Sequence, residues 1–272
     1  KYAHEIHANE LVLLAYYIAA INIEATYHGI LGGEYTPFPG ICLTDTFQMY
    51  EHDDLIQDKL AENSKRRMHQ RNLKDIRVIM GNPPYSAGQS SQNENNQNVK
   101  YEYLDKRIYE TYTLSSANLL GKRSSLDSYI RAIRWASDRI EDQGVVGFIT
   151  NSGYLSSNAA DGIRKCLIEE FSSLYIINLR GNSRTTGDIA KKEAGNIFDI
   201  RTPVAIAILV KNQKIESEVL ASMYDSSLDI FAKKEWENTF FVNQNRHPDF
   251  PSIYKFINYE NIAECNFKFT SF

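Results

Sequence analysis

The segment Asn82-Pro83-Pro84-Tyr85 combines residue types that can hold a planar amino group while it reacts. Two consecutive prolines fix the backbone and remove two N–H donors, so this stretch presents carbonyl oxygens as hydrogen-bond acceptors. The amide oxygen of Asn82 is a further acceptor beside them. Acceptors of this kind keep the nitrogen lone pair of an exocyclic NH2 group available and stabilise the positive charge that develops on it. Tyr85 offers an aromatic face for stacking on a planar base. A simple turn at the end of a strand is the alternative interpretation.

The elements around this segment predict where it lies in the fold. It follows Ile76–Met80, an apolar run that predicts a buried strand, and open α/β sheets bind ligands at the carboxyl ends of their strands. Strand and helix signals alternate along the chain, which is typical of an α/β fold with a mostly parallel sheet. The other predicted strands are Ala3–Ile6, Gly40–Leu43, Val145–Thr150, Tyr175–Leu179 and Val204–Val210, and the predicted helices are Asn9–Glu24, Asp53–Asn72, Leu126–Asp142 and Gly162–Phe171.

Two features of the later sequence bear on domain organisation. The connection Arg180–Arg201 is too polar and too short for a long packed helix, so the strand after it is predicted to be antiparallel and final. Beyond Asn212 the regular alternation fades. Residues 1–212 are therefore interpreted as the core domain, and residues 213–272 as a linker or the start of a C-terminal domain. Residues 86–98, rich in Gln and Asn, predict a polar loop.

The composition permits several functions and excludes few. A hydrophobic fraction of 43% with 12% aromatic residues is typical of a packed globular protein. The net charge of -4 argues against a protein that coats nucleic acid by bulk electrostatics, although a local basic groove would be sufficient for a DNA enzyme. The apolar stretch Leu11–Ile23 is too short to span a membrane, so it predicts a buried helix. Three widely spaced cysteines indicate a reduced, cytoplasmic protein. His4 and His7 lack companion ligands, so we expect no metal site.

Four segments, in the same order along the chain, carry a family resemblance. The strand followed by Asn-Pro-Pro-Tyr is similar to motif IV of the adenine-N6 amino-methyltransferases. Together the segments resemble the methyltransferase domain of single-chain, helicase-like restriction–modification enzymes (Type ISP and relatives), over roughly residues 1–212. They are residues 43–48 (LTDTFQ), 81–86 (GNPPYS), 127–140 (DSYIRAIRWASDRI) and 178–182 (NLRGN).

The resemblance implies a Rossmann-like sheet that binds S-adenosylmethionine and methylates the N6 of an adenine flipped out of double-stranded DNA. The family has an acidic residue after the second strand that accepts hydrogen bonds from the ribose hydroxyls of the methyl donor, and Glu5 matches it. Asp45 matches the family's acceptor for the donor's adenine amino group, and Phe47 is expected to pack against that adenine. The alternatives are a solvated Glu5 and an Asp45 that only caps a turn.

The resemblance also implies residues that contact DNA. Phe198 matches an aromatic position opposite Tyr85, and the two rings are expected to hold the flipped adenine. Burial of Phe198 in the core is the alternative. Apart from the resemblance, Arg180, Arg184 and Lys191-Lys192 precede the last predicted strand, at the presumed active-site edge, and are expected to contact DNA. The basic run Lys65-Arg66-Arg67 is interpreted as a solvated helical face rather than a phosphate site.

The chain departs from the family pattern in one respect. The family's Gly-rich motif I precedes the position matched by Glu5, whereas residues 29–33 (GILGG) follow the first helix. The first strand and the loop around the donor's methionine portion are therefore expected to be missing from this chain. We expect a longer parent, with helicase and nuclease regions upstream and a target-recognition domain downstream. Two alternatives remain: a protein glutamine-N5 methyltransferase, which uses the same tetrapeptide, and a DNA-contacting fragment that cannot bind the donor.

Overall fold

A computed structural model of the protein describes residues 1–51, 61–84, 100–117, 126–180, 202–212 and 254–258. The described residues form two compact units. The first unit comprises those up to Lys74 together with Lys100–Leu104, and the second comprises Asp75–Pro84 and those from Asp105 onward. Helices and strands alternate, and the strands pair in both parallel and antiparallel orientations. Within these ranges, no helix is long and apolar enough to cross a membrane.

The first unit is built on two short parallel strands, β1 (Ala8–Glu10) and β2 (Ile41–Leu43). Helix α1 (Leu13–Leu31) connects them, and helix α2 (Ala61–Arg71) follows β2. In the register of the pair, Glu10 lies opposite Leu43. The carboxyl ends of the two strands are therefore level with each other, as parallel pairing across a helical connection allows.

The first strand begins later in the chain than predicted. The predicted strand Ala3–Ile6 is wrong, because the chain turns there and the N–H of Glu5 donates to the carbonyl of Lys1 at 2.8 Å. The helix predicted from Asn9 begins only at Leu13, since residues 8–10 pair with β2. A strand of three residues is too short to show apolar–polar alternation. The sequence of β1 was therefore read as the start of the helical pattern that follows.

Helix α1 is less buried than its apolar sequence predicted. One stripe of the helix packs against Tyr2, Phe38 and Ile41; its members are Tyr16, Ala19, Ala20, Ile23 and Tyr27. A second stripe at helical spacing is exposed; its members are Leu14, Tyr17, Ile18 and Ile21. The expectation of a buried helix is wrong among the described residues, because they cover only the first stripe.

The second unit contains a five-stranded sheet in the order β3-β4-β6-β5-β7. Its strands are β3 (Val78–Gly81), β4 (Gln143–Asn151), β5 (Ser173–Arg180), β6 (Val204–Asn212) and β7 (Tyr254–Asn258). β6 runs antiparallel to both of its neighbours, β4 and β5, which confirms the predicted antiparallel strand. It is not the final strand, however, since β7 follows it in the chain and pairs in parallel with β5.

The three central strands bury one face of this sheet in regular rows. Val146 lies opposite Leu209, which lies opposite Leu174, and the next row joins Phe148, Ala207 and Ile176. All six side chains are buried. Helices α4 (Ser128–Arg139) and α6 (Asp161–Glu170) confirm two predicted helices. The sequence did not predict α3 (Glu102–Ile108), which continues into a π-helical turn, or the short helix α5 (Gly153–Ser156).

β3 was predicted to be a buried strand, and this prediction is wrong among the described residues. Val78 is 64% exposed and Met80 is 81% exposed. The strand lies at the edge of the described sheet, with β4 as its neighbour on one side. An edge position explains the exposure, because a strand without neighbours on both sides shares less of its surface with the core.

The charged residues of α4 hold the helices of the second unit together. The guanidinium of Arg134, almost fully buried, donates to both carboxylate oxygens of Glu170 at 2.6 and 2.9 Å and to Asp138 at 2.7 Å. Arg131 makes a bidentate pair with Asp105, with both distances 2.8 Å. Both buried arginines of α4 thus have partners of opposite sign, which offsets the cost of removing them from water.

Two glycines of β4 provide a matched test of the packing at the β3–β4 edge. A Cβ atom on Gly144 would lie 2.7 Å from the carbonyl oxygen of Arg77 and 2.8 Å from a methyl group of Ile140, whereas a Cβ on Gly147 would have no atom within 4 Å. We therefore expect Gly144→Ala to destabilise the chain by about 1–3 kcal/mol through overpacking. Gly147→Ala should change stability by no more than about 0.5 kcal/mol. Thermal unfolding of both variants checks this, and equal stability of the two would contradict the packing.

Candidate functional site

Two acidic residues lie at the carboxyl edge of the β1–β2 pair. Glu10 is the last residue of β1, and Asp45 follows the end of β2 by two residues. The N–H of Thr44 donates to the carbonyl of Glu10 at 2.8 Å, which ties the two strand ends together. The carboxylate of Glu10 makes no hydrogen bond or ion pair with any residue that the structure describes. It is half-buried at the edge where α/β folds bind ligands.

Glu5 does not lie at this edge. It is exposed, in the turn that precedes β1, and so lies before the strand rather than after it. The ribose-binding role of Glu5 stays a prediction, but the acidic residue that ends the strand is Glu10. One signal in the sequence could have identified Glu10: it stands directly before the long apolar periodicity of α1, where a strand-to-helix turn is expected.

Asp45 organises the turn after β2. Its Oδ1 accepts hydrogen bonds from the N–H of Phe47 at 2.9 Å and of Gln48 at 3.4 Å, at the start of the 3-10 turn Gln48–Tyr50. Asp45 thus does cap a turn, which was the alternative interpretation of this residue. Its Oδ2 accepts a hydrogen bond from the hydroxyl of Tyr101 at 2.7 Å. Each carboxylate oxygen has two lone pairs, so acceptor capacity remains for a ligand.

Phe47 and Tyr101 form an aromatic pair beside Asp45. Their ring centroids are 5.4 Å apart and the rings are nearly perpendicular, at 84°. Tyr101 is buried, whereas Phe47 is half-buried. Tyr101 was not predicted from the sequence, since it lies 56 residues from Asp45 and belongs to no recognised motif.

Side chains of α2 complete the backbone hydrogen bonds of β2. The amide group of Asn63 accepts from the N–H of Leu43 at 2.9 Å and donates to the carbonyl of Leu43 at 3.0 Å, as a neighbouring strand would. Gln70 donates to the carbonyl of Gly40 at 2.8 Å. These contacts fix the strand from which Asp45 and Phe47 emerge, and they satisfy groups that an edge strand otherwise leaves unpaired.

The basic run Lys65-Arg66-Arg67 is only in part a solvated face. Lys65 is exposed, but Arg67 is 5% exposed and Arg66 is half-buried. The guanidinium of Arg66 approaches the carbonyl of Ile41 at 3.5 Å and Glu62 at 3.6 Å. The expectation of a solvated face is therefore wrong for Arg67, which is buried.

The second unit carries the Asn-Pro-Pro segment at the carboxyl edge of its sheet. Asn82, Pro83 and Pro84 follow the last residue of β3; Asn82 and Pro84 are exposed, and Pro83 is half-buried. β3 and β4 are parallel, so Asn151 at the end of β4 lies at the same edge. The backbone of Arg180 also ends there, at the last position of β5, where it pairs with Val204.

Three predicted site residues lie outside the described residues. They are Tyr85, Arg184 and Phe198. The roles predicted for them, and for the side chain of Arg180, stay predictions.

Histidines near the start of β1 form a pair without a metal-binding arrangement. The rings of His7 and His69 are 5.8 Å apart, and burial lowers the pKa of His7, with the neighbouring His69 acting in the same direction. Among the described residues, no group of three or more His, Cys, Asp or Glu side chains is placed to hold a metal ion. The cysteines in these ranges, Cys42 and Cys166, are buried and form no disulfide.

Comparison with known proteins identifies the family. The model of the Eco57I restriction-modification methylase family matches residues 3–185. The chain therefore belongs to the Eco57I restriction-modification methylase family. No curated protein matches the chain.

Solved structures agree with this membership. The ATP-dependent Type ISP restriction-modification enzyme LlaBIII bound to DNA is 49% identical, with a TM-score of 0.72, over 78% of this chain and 14% of that chain. A nuclease-deletion mutant of the Type ISP enzyme LlaGI, in complex with a DNA substrate mimic, is also 49% identical, with a TM-score of 0.73, over 78% of this chain and 18% of that one. The DrdV–DNA complex is 42% identical, with a TM-score of 0.69, over 78% of this chain and 20% of that one. The chain thus spans less than a quarter of each of these proteins.

The two hydrogen bonds between the Asn63 side chain and the backbone of Leu43 provide a second prediction. Asn63→Ala removes both partners of the Leu43 backbone, and an unsatisfied group in a partly buried setting costs about 1–3 kcal/mol. We expect faster amide hydrogen exchange across residues 41–47. Asn72→Ala, an exposed position one residue beyond α2, is the matched control and should leave this exchange unchanged. Unchanged exchange in Asn63→Ala would show that these hydrogen bonds do not stabilise β2.

Proposed function

We propose that the parent protein methylates the N6 atom of adenine in duplex DNA, with S-adenosylmethionine as methyl donor, as part of a restriction–modification enzyme. One observation carries this proposal: the Asn82-Pro83-Pro84 segment directly follows β3 at the carboxyl edge of its sheet, within a chain of the Eco57I methylase family. The DNA complexes of LlaBIII, LlaGI and DrdV support a DNA substrate.

The proposed chemistry on the base follows from the acceptors in this segment. Pro83 and Pro84 have no N–H, so the backbone at these two positions offers acceptors and no donors. The amide oxygen of Asn82 and the carbonyl of Pro83 would accept the two hydrogens of the adenine amino group. That arrangement leaves the nitrogen lone pair directed at its reaction partner and stabilises the cationic nitrogen that forms. A proton must then leave the nitrogen, and the exposure of Asn82 allows water to receive it.

The donor would be held by Glu10, Asp45 and Phe47. Carboxylates suit its ribose hydroxyls and its adenine amino group, because an ionised carboxylate is an acceptor without a competing donor. Glu10 is half-buried and makes no contact of its own among the described residues, and Phe47 is a half-buried aromatic ring beside Asp45. These features fit the adenosine portion of the donor. When bound, S-adenosylmethionine supplies an electrophilic methyl group.

The remaining parts of the proposal concern DNA and the parent chain. Tyr85 and Phe198 would hold the flipped adenine between them, and Arg180 and Arg184 would contact phosphates. Residues 1–212 would form the catalytic domain, with 213–272 as a linker or the start of a target-recognition domain. Helicase and nuclease regions would precede them, in keeping with the small share of each Type ISP relative that the chain spans.

The first test replaces Asn82. Asn82→Ala removes one of the two acceptors, so methyl transfer should fall at least about 100-fold. The measurement incubates the parent protein with labelled S-adenosylmethionine and mixed-sequence duplex DNA, then identifies the labelled nucleoside as N6-methyladenine. Donor binding should be unchanged in the variant, which separates a chemical defect from misfolding.

Other outcomes of this assay point to other functions. Label in N4-methylcytosine would retain the segment's chemistry but overturn the substrate base. Label in protein and not in DNA would favour glutamine methylation. Absence of donor binding in the wild-type parent would favour a DNA-contacting protein without transferase activity.

A paired test decides between the two acidic residues near β1. Glu10→Gln should weaken donor binding about tenfold, because a neutral amide replaces charge-assisted hydrogen bonds to the ribose hydroxyls. Glu5→Gln makes the same chemical change in an exposed turn and should leave the affinity unchanged. Calorimetric titration with S-adenosylhomocysteine measures both. A loss in Glu5→Gln alone would restore the assignment made from the sequence.

A further inference from the structure

Tyr101 is held in a fixed position against the turn that follows β2. It is 3% exposed and immediately precedes α3. The two residues after Glu102 are anchored by Glu51, whose carboxylate accepts from the N–H of Tyr103 at 2.7 Å and of Leu104 at 3.1 Å. Glu51 is itself 6% exposed. A buried carboxylate with two backbone donors is a rigid anchor, so the adjacent phenol has little freedom to move.

From this position Tyr101 contacts both residues proposed to hold the donor's adenine. Its hydroxyl donates to Asp45 Oδ2 at 2.7 Å, and its ring lies edge-to-face against Phe47. The N–H of Phe47 holds the other oxygen, Oδ1, at 2.9 Å. Gln48 also donates to Oδ1, at 3.4 Å. With donors on both oxygens, the plane of the Asp45 carboxylate is fixed, and the unused lone pair of Oδ2 has a defined direction.

We propose that Tyr101 is a positioning residue that orients Asp45 and Phe47 for a 6-aminopurine nucleoside. This inference rests on the proposed function, since it concerns the same donor site. Tyr101 acts through Asp45 and touches no reacting atom. An oriented acceptor favours a ligand that offers an N–H donor at the purine 6-position, and it disfavours one that offers a carbonyl there, because two acceptors then face each other. Tyr101 thereby contributes to the choice of adenine over a 6-oxopurine.

The test is a double-mutant cycle on the full-length parent protein. The variants are Tyr101→Phe, Asp45→Asn and the pair, with Tyr103→Phe as matched control, since Tyr103 is a half-exposed neighbour two residues away. The probes are S-adenosylhomocysteine and its 6-oxo analogue, S-inosylhomocysteine. Tyr101→Phe should weaken binding of the amino compound about fivefold to tenfold and leave the oxo compound within twofold. In the Asp45→Asn background it should have little further effect.

Kinetics give a second readout. The KM for the methyl donor should rise in Tyr101→Phe by a similar factor, whereas kcat and the KM for DNA stay within about twofold, because the residue orients a binding group and not the reacting atoms. Tyr103→Phe should match the wild type in every measurement.

Each contrary outcome has its own meaning. Equal losses for the amino and oxo compounds would reduce Tyr101 to a structural role and overturn the inference. Wild-type affinity and selectivity in Tyr101→Phe would also overturn it, while the proposed function would stand. Failure of the wild-type parent to bind S-adenosylhomocysteine would overturn the donor assignment, and the role of Tyr101 with it.

Discussion

Parallel pairing of β1 with β2, and of β3 with β4, determines where chemistry can take place in each unit. Parallel strands bring their carboxyl ends to one edge of the sheet. The turns that follow these ends carry side chains that are not part of the strand pairing and can contact a ligand. In the first unit that edge holds Glu10 and Asp45. In the second it holds Asn82 and the backbone of Arg180. The predicted strand ended at Ile6, whereas β1 ends at Glu10, and this difference in the strand boundary changes which acid is the candidate for binding ribose.

The turn after β2 is ordered by side chains that make hydrogen bonds usually made by the backbone. A strand of three residues provides few ladder hydrogen bonds, and β2 gains further ones from the amide of Asn63 and from Gln70. Asp45 then replaces a backbone acceptor for the N–H of Phe47, and Tyr101 occupies its other oxygen. Polar groups satisfied in this way order a turn that apolar packing alone would leave loosely defined. The candidate donor site is thus held by hydrogen bonds contributed from three separate stretches of sequence.

Local patterns in the sequence predicted what depends on local physics. The apolar runs of β4, β5 and β6 and the periodicity of α4 and α6 identified these elements, and the polar connection before β6 correctly predicted its antiparallel direction. Features that depend on contacts between distant parts of the chain were not predicted. Whether β3 is buried depends on its neighbouring strands, and whether the second stripe of α1 is buried depends on what packs against it. The hydrogen bond from Tyr101 to Asp45 joins residues 56 positions apart. The motif around Arg131 and Arg134 marked the family, but only the fold reveals that these arginines pair with acids from α3 and α6.

Glu10 and Asp45 occupy one edge but differ in how they are held, and this difference bears on their proposed roles. Asp45 has a donor on each oxygen before any ligand arrives, so its geometry is preset and little ordering remains to oppose binding. Glu10 has no partner among the described residues, and its longer side chain keeps rotamer freedom. A preset acceptor suits recognition of one planar edge, where a misdirected lone pair costs selectivity. A mobile acceptor suits a pair of vicinal hydroxyls, since it can adjust to both. Under the proposed function, the first unit would combine a selective contact with an adaptable one, and discrimination between purines in the donor would reside in Asp45 and the residues that orient it.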